Sequence, residues 1–352
     1  MLFRNVRISQ PQAAYGFLEA TGPLGKYDAK QKLRESVRTL EVTIMSKKMV
    51  DVLPFVLRHC PKLHEFAIKI HTKSDLNIVL HPQSIPLELK FLSSVPYGDV
   101  PLPRIQALRV NSDNNKSLYK ILRTWPDIRH LVLFGEALVE FCFTPHASAT
   151  ELEPNGLRLY EFQSGRLTAR GKAFAPQTAL TVRTSLASSI GTLQILDLNG
   201  ISPMVIRNSG LLFIEHGPHL KSLRLPFIPD RINLPFLRYC VSLEEVIVYG
   251  FPPVAVCRDI PVDTIVHASF TTLATQAQIR IQPALNWLAT FPKLVVLSWC
   301  LRRVPVSTNS DKDQALLHRF CQKKGVRYRT SSMFEVEVCS SSIFSIGTNP
   351  VI

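Results

Sequence analysis

The sequence predicts an α/β fold of stacked strand-and-helix repeats, with a parallel sheet on one side and helices on the other. Three observations predict it. Residues 190–201 read IGTLQILDLNGI, which sets Leu193, Leu196 and Leu198 in an L-x-x-L-x-L pattern followed by Asn199 and Gly200. The pattern returns along the chain, mostly at intervals of 23–29 residues, inside or close to the range of leucine-rich repeats. Proline recurs at one phase: Pro61, Pro126, Pro218 and Pro292 each stand two residues before a strand's first apolar position. Proline lacks a backbone donor and turns the preceding residue away from the αR region, so it stops a helix where a strand must begin.

The elements follow in order. Val6 and Ile8 alternate with basic residues and predict a first strand over residues 2–8, and residues 10–21 predict a helix with Ala14, Phe17 and Leu18 on one face. Gly22-Pro23 ends that helix. Val37, Leu40, Val42 and Ile44 predict the next strand. Met49, Val52, Leu53, Val56 and Leu57 then recur at helical spacing. Further strands are predicted at Leu63–Phe66–Ile68–Ile70, Ile105–Leu108–Val110, Ile128–Leu131–Leu133, Leu157–Tyr160–Phe162, Leu193–Leu196–Leu198, Leu220–Leu223–Leu225, Leu243–Val246–Val248 and Leu294–Leu297–Trp299. The intervals between first positions are 26, 42, 23, 29, 36, 27, 23 and 51. A degenerate repeat at Val262, Ile265 and His267 would divide the last, and insertions at 72–97 and 163–189 would explain 42 and 36. Helices are predicted over 118–125, 203–216, 234–240, 276–291 and 311–324. Residues 323–329 read as a helix stop and a strand, 334–338 as a capping strand, and 339–352 as a flexible tail.

One such repeat cannot bury its own apolar positions, but stacking buries a continuous core. The expected architecture is therefore a leucine-rich-repeat solenoid, a horseshoe with a parallel concave sheet and outer helices. Side chains alternate along a strand, so the residues between the leucines face the concave surface. These are Glu41, Lys69, Arg109, His130, Glu161, Asp197, Arg224, Glu245 and Tyr249. Their mixed acidic, basic and aromatic chemistry suits a protein partner better than a uniform polyanion.

Composition narrows the class. The 352 residues carry 41 Lys+Arg against 27 Asp+Glu, a formal charge of +14, and 46% are hydrophobic. That apolar content supports a continuous core and argues against disorder. The basic excess is spread out: 24 basic and 16 acidic residues lie in 1–176, and 17 and 11 in 177–352. A focused nucleic-acid footprint would be clustered, so nucleic acid is disfavoured as a partner. The seven cysteines are scattered with no C-x-x-C pair, which predicts reduced thiols in an intracellular protein, cytoplasmic or nuclear. The N-terminus lacks a secretory apolar region, and the longest apolar run, near Leu294–Leu301, falls far short of a bilayer span.

No catalytic constellation is written in the chain. G-x-S-x-G, H-E-x-x-H, G-x-x-x-x-G-K-[ST] and G-x-G-x-x-G are all absent. His64 and His71 lie seven apart around a strand and read as surface residues rather than a metal pair. Asp311 and Asp313 open a helix, where carboxylates offset the macrodipole. Arg302-Arg303 and the 323–329 cluster, near Trp299 and Tyr328, form the most basic local patches and read as a solvated rim. The expectation is a non-enzymatic protein–protein interaction scaffold with no cofactor and no metal. The alternative is a repeat protein that binds nucleic acid or another anionic surface through its diffuse charge, with a steep salt dependence.

The opening LFRNVRIS, the segments HCPKLHEFAI, TWPDIRHLVLFG, HGPHLKSLRL and YCVSLEEVIVYG, and the closing FCQKKGVRYR resemble the leucine-rich-repeat region of fungal F-box proteins over nearly the whole chain. In that family the segment similar to Leu2–Ile8 follows directly on the F-box, which docks onto the Skp adaptor of a cullin–RING ubiquitin ligase, and the repeats hold the substrate. The resemblance implies a substrate receptor whose F-box is missing or truncated ahead of Met1, with adaptor and cullin as partners only where an F-box lies upstream. Residues 1–22 would then be the remnant strand and helix that follow an F-box, 23–338 an irregular repeat array, and 339–352 the tail.

Overall fold

A computed structural model describes residues 4–22, 30–71, 100–113, 118–143, 157–165, 177–229, 232–249, 258–272, 281–301 and 310–329. The chain forms two compact modules, Met1–Leu159 and Tyr160–Ile352. In the N-terminal module, β1 (Asn5–Ile8), β2 (Thr39–Ile44), β3 (Glu65–Ile70), β4 (Ala107–Ser112) and β5 (His130–Phe134) pair in sequence order. Each pairing is parallel. Parallel neighbours require a crossover. Here the crossovers carry α1 (Pro11–Thr21), α2 (Gln31–Ser36), α3 (Lys47–Arg58) and α4 (Leu118–Thr124), and α5 (Gly135–Phe143) follows β5.

The C-terminal module repeats the plan. It pairs β6 (Glu161–Ser164), β7 (Ile195–Asp197), β8 (Ser222–Leu225), β9 (Glu245–Val248), β10 (His267–Thr272), β11 (Val296–Leu301) and β12 (Arg327–Arg329) in order and in parallel. Its helices are α6 (Gln177–Leu186), α7 (Pro203–Arg207), α8 (Gly210–His216), α9 (Ile281–Ala289) and α10 (Ser310–Lys324).

A backbone motif recurs in both modules. Just before a strand, two consecutive N–H groups share one carbonyl of the preceding repeat. His64 and Glu65 donate to Arg38 O, Gln106 and Ala107 to His64 O, and Arg129 and His130 to Gln106 O. Lys221 and Ser222 donate to Gln194 O, Glu244 and Glu245 to Lys221 O, and Val266 and His267 to Glu244 O. Before β3 and β8 the turn is closed locally. Leu63 N donates to Cys60 O at 3.1 Å and Leu220 N to Gly217 O at 3.1 Å, which puts Pro61 and Pro218 at the second turn position, where a fixed φ fits. Register then stacks like on like. Leu40, Phe66, Leu108 and Leu131 align across β2–β5, and Phe162, Leu196, Leu223, Val246, Ala268 and Leu297 across β6–β11. All of these are buried.

Several expectations shift. The strand expected over residues 2–8 is Asn5–Ile8, and it pairs with β2 as the first strand of the N-terminal sheet. The repeat expected at Leu157–Tyr160–Phe162 is framed two residues later, with Leu159 and Phe162 buried and Ser164 in the third position. The degenerate repeat is Ile265, Ala268 and Phe270, three residues from the expected frame, so His267 leaves the core side for the sheet face. The interval of 51 thus divides into 22 (243 to 265) and 29 (265 to 294). The single helix expected over 203–216 is two, because Asn208 and Ser209 break it; Ser209 Oγ donates to Val205 O at 2.8 Å. The helix expected over 234–240 is a 3-10 turn, Pro235–Tyr239, in a 23-residue repeat too short for more (220 to 243). Helices α2, α5 and α6 were not expected. Residues 72–97, 334–338 and the tail 339–352 lie outside the described residues.

Gly135 opens α5 with φ +59°, and a Cβ there would lie 2.6 Å from Ser112 O. Gly135→Ala is expected to cost about 2–4 kcal/mol, from left-handed strain plus that clash. A urea titration against wild type checks it.

Candidate functional site

Of the nine residues expected on the concave surface, eight fall on the non-core side of their strands, and Tyr249 lies one residue past β9 and is buried; four of the nine belong to the N-terminal module and five to the C-terminal module. In the N-terminal module, β1 pairs Arg7 with Glu41, and β3 places Lys69 opposite Thr43. Glu41 Oε1 lies 2.5 Å from Lys69 Nζ and 3.6 Å from Arg7 Nη2. Glu65, one face position before Ala67, accepts from Thr39 Oγ1 at 3.1 Å. Burial raises the Glu65 pKa, and the Thr39 bond, His130 and Arg109 oppose it. Burial lowers the pKa of Arg109, which Glu41 and Glu65 counter. The result is an alternating charge lattice, half-buried in the middle and open at Arg7, whose side chain is 68% exposed.

The C-terminal cluster is tighter. Register places Glu161, Ile195, Ser222, Glu245 and His267 in one row across five strands, and Gln163, Asp197 and Arg224 in the next. Glu161, Asp197, Arg224 and Tyr249 are buried, whereas Glu245 is half-buried. Glu245 is the hub: its carboxylate receives Ser222 Oγ at 2.5 Å and His267 Nδ1 at 2.7 Å, and Arg224 Nη2 lies 3.8 Å away. His267 Nε2 reaches Ser298 Oγ at 3.1 Å. Burial would raise Glu245, but the His267 bond, Arg224 and Ser222 together hold it at about 2. Asp197 behaves in the opposite way. Burial pushes it up to about 6, against the pull of Arg224 and the Asn199 N–H. Asp197 also builds its own loop, since Oδ1 accepts from Asn199 N at 2.8 Å and its carbonyl accepts from Ser164 Oγ at 2.9 Å. The Arg224 guanidinium lies 3.8 Å from both Asp197 and Glu245, with Nε buried and unbonded.

Sequence reasoning did not place Arg7, Glu65, Ser222 or His267 on the sheet face. For the first three the signal was present, because each lies on the face by period 2 from an anchored neighbour. His267 was hidden by the three-residue error in frame.

Other sequence candidates fall away from any site. Trp299, which the sequence sets near the basic rim, is 1% exposed in the core. Trp125 is also core, its Nε1 donating to Pro103 O at 2.9 Å. His71 pairs with Asp113 at 3.1 Å. Among the described residues no group of three or more His, Cys, Asp or Glu side chains could hold a metal ion. Cys60, Cys142, Cys240 and Cys321 are free and buried, and burial raises their pKa values, to about 12 for Cys60 and Cys240, so they are poor nucleophiles. No described helix is long and apolar enough to cross a membrane. The chain matches no protein-family model, and no curated protein matches it.

Proposed function

We propose that the chain is a non-enzymatic protein–protein interaction scaffold, a leucine-rich-repeat solenoid that holds a protein partner on its sheet face. The observation that carries this reading is the face itself: successive repeats present charged side chains of both signs at matching register, with Arg7, Glu41 and Lys69 open to solvent or half-buried. Polar groups of mixed sign around a structured sheet give a partner specificity and orientation. A polyanion would instead be met by one sign of charge, and here carboxylates stand among the arginines and lysines. The resemblance to fungal F-box proteins extends the reading to a substrate receptor of a cullin–RING ubiquitin ligase, intracellular, with a Skp adaptor bound through an F-box.

The test is affinity purification of the full-length product from its own cells, with mass spectrometry, on wild type and on R7E/K69E. The expected result is a set of proteins lost in R7E/K69E and retained in L211S, a control on helix α8. Recovery of a Skp adaptor and cullin with wild type supports the ligase reading. Identical recovery with all three proteins would overturn binding through the sheet face.

A further inference from the structure

We propose that the strand-entry edge of the N-terminal module docks an acidic segment of a protein partner, gripped by Arg4, Arg104 and Arg129. The sharing of one carbonyl by two N–H groups builds that edge. The residue that offers the carbonyl is Arg4 before β1, Arg38 before β2, His64 before β3 and Gln106 before β4, and Arg129 holds the same place before β5. Neighbouring strands stand about 4.8 Å apart, so these five side chains form a ladder about 19 Å long. Arg4, His64, Gln106 and Arg129 are exposed, as is Arg104, two residues before Gln106. The ladder positions of this module carry basic or neutral polar side chains and no acid.

The C-terminal module shows the same position with its charge balanced. Its ladder runs Tyr160, Gln194, Lys221, Glu244, Val266 and Val295, and Lys221 Nζ lies 3.7 Å from Glu244 Oε1. Ladder side chains of adjacent repeats therefore reach one another. In the N-terminal module the same geometry sets Arg4 beside Arg38, and like charges on neighbouring strands work against folding. Arg38 is held by the Glu35, Val37 and Lys62 carbonyls rather than by a carboxylate. Among the described residues, Arg4, Arg104 and Arg129 form no ion pair. The nearby carboxylates do not meet them. Glu35 pairs with Lys62 at 2.8 Å, and Asp127 is exposed without an ion pair to Arg129. Half-buried Glu65 accepts from Thr39 Oγ1 at 3.1 Å, and Arg4 acts on it more weakly than Thr39, His130 or Arg109. Three exposed guanidinium groups thus stand along one edge with their charge uncompensated, and an anion from outside the module relieves them.

The chemistry of the edge selects the anion. A guanidinium binds a carboxylate through two parallel hydrogen bonds, which gives direction as well as charge. An extended peptide rises about 3.3 Å per residue, so about six residues span the ladder. Glu or Asp side chains along such a segment meet Arg4 at one end and Arg104 and Arg129 toward the other. A nucleic acid fits less well, because no ladder position of this module carries a Phe, Tyr or Trp on which a base would stack. The proposal rests on the interaction-scaffold reading for the existence of a partner, but it puts this contact at the edge, apart from the sheet face of Arg7, Glu41 and Lys69.

The experiment is fluorescence anisotropy of a labelled octaglutamate peptide with the purified full chain, at about 100 mM NaCl so that distant charges are screened. Wild type is expected to bind the peptide, and R104E/R129E to bind it about tenfold more weakly. R104Q/R129Q removes the charge without reversing it and is expected to lose about threefold. Two controls are expected to stay within about twofold of wild type: K312E/R319E, with the same change of net charge at exposed positions of α10, and R7E/K69E on the sheet face. A loss in K312E/R319E as large as in R104E/R129E would mean attraction by net charge alone and overturns the proposal. A loss confined to R7E/K69E also overturns it and leaves the sheet-face reading standing. No binding by wild type up to about 100 μM chain sinks the edge as a docking site. So does a labelled octauridylate that binds as tightly as the peptide and is lost in the same variants, since the edge would then be a nucleic-acid contact. Should R104E/R129E fail to fold, the loss in R104Q/R129Q decides.

Discussion

Glu245→Ala is expected to cost about 3–5 kcal/mol of stability, one of the two largest losses for a single substitution in this chain. The reason is what the carboxylate leaves behind. Ser222 on β8 and His267 on β10 both bond to it from the neighbouring strands, and Arg224 on β8 lies 3.8 Å away. Without Glu245 the buried guanidinium keeps Asp197, whose own ionisation burial already opposes, and the lesser pull of Tyr249 and Glu161. A buried cation stripped of a partner costs far more than the intact pair gained. Glu245→Gln keeps the volume and an acceptor for Ser222, so about half of the loss is expected. The pH dependence separates charge from shape. Glu245 is held at about 2, below its ordinary 4.5, so its contribution is complete above pH 4.5 and is lost as pH falls from there toward 2. The gap between wild type and E245Q in urea titrations should therefore close across that interval. A gap that is already under 1 kcal/mol at pH 7 would reduce the cluster to ordinary surface pairing.

That network also shows where the sequence ran out. Period-2 alternation placed Asp197, Arg224 and Glu245 on one face, because the apolar residues beside them, Leu196, Leu198, Leu223 and Val246, fix which way each strand points. It could not say that Asp197 and Arg224 would be buried and Arg7 open. Burial on a sheet face is set by neighbours on other strands, 22 to 42 residues away along the chain in the repeats framed here. The repeat frame was legible wherever leucine filled its positions. It slipped where Ala268 or Ser164 took a core position, since a small residue carries no hydrophobic signal of its own and is recognised only once register aligns Ala268 with Val246, and Phe162, two residues before Ser164, with Leu196. Helix type was less legible still. The 3-10 turn Pro235–Tyr239 has the apolar spacing of an α-helix, and the short repeat decides otherwise.

Trp299→Ala is expected to cost about 3–5 kcal/mol, and where the loss appears will show how the C-terminal module holds together. Trp299 on β11 is 1% exposed. Its ring lies 5.3 Å from Phe270 on β10, Phe270 lies 5.8 Å from Trp287 on α9, and Trp287 lies 4.8 Å from Phe291. Four aromatics thus join two strands and the helix between them. Burying an indole removes roughly 200 Å² from water, about 5 kcal/mol at ~25 cal/mol per Å², of which alanine retains a small part. Trp299→Phe should cost about 1–2 kcal/mol, because the ring contact with Phe270 survives. In a repeat array each repeat touches only its neighbours, so stability is close to a sum of local terms. Hydrogen exchange of W299A should then rise in β10, β11 and α9 while β6 to β8 keep wild-type protection. Equal acceleration across all seven strands would mean that the module unfolds as one cooperative block, and the solenoid reading would lose its energetic basis. The same comparison tests whether the Glu245 hub, one strand beyond Phe270, belongs to the aromatic block or to the repeats before it.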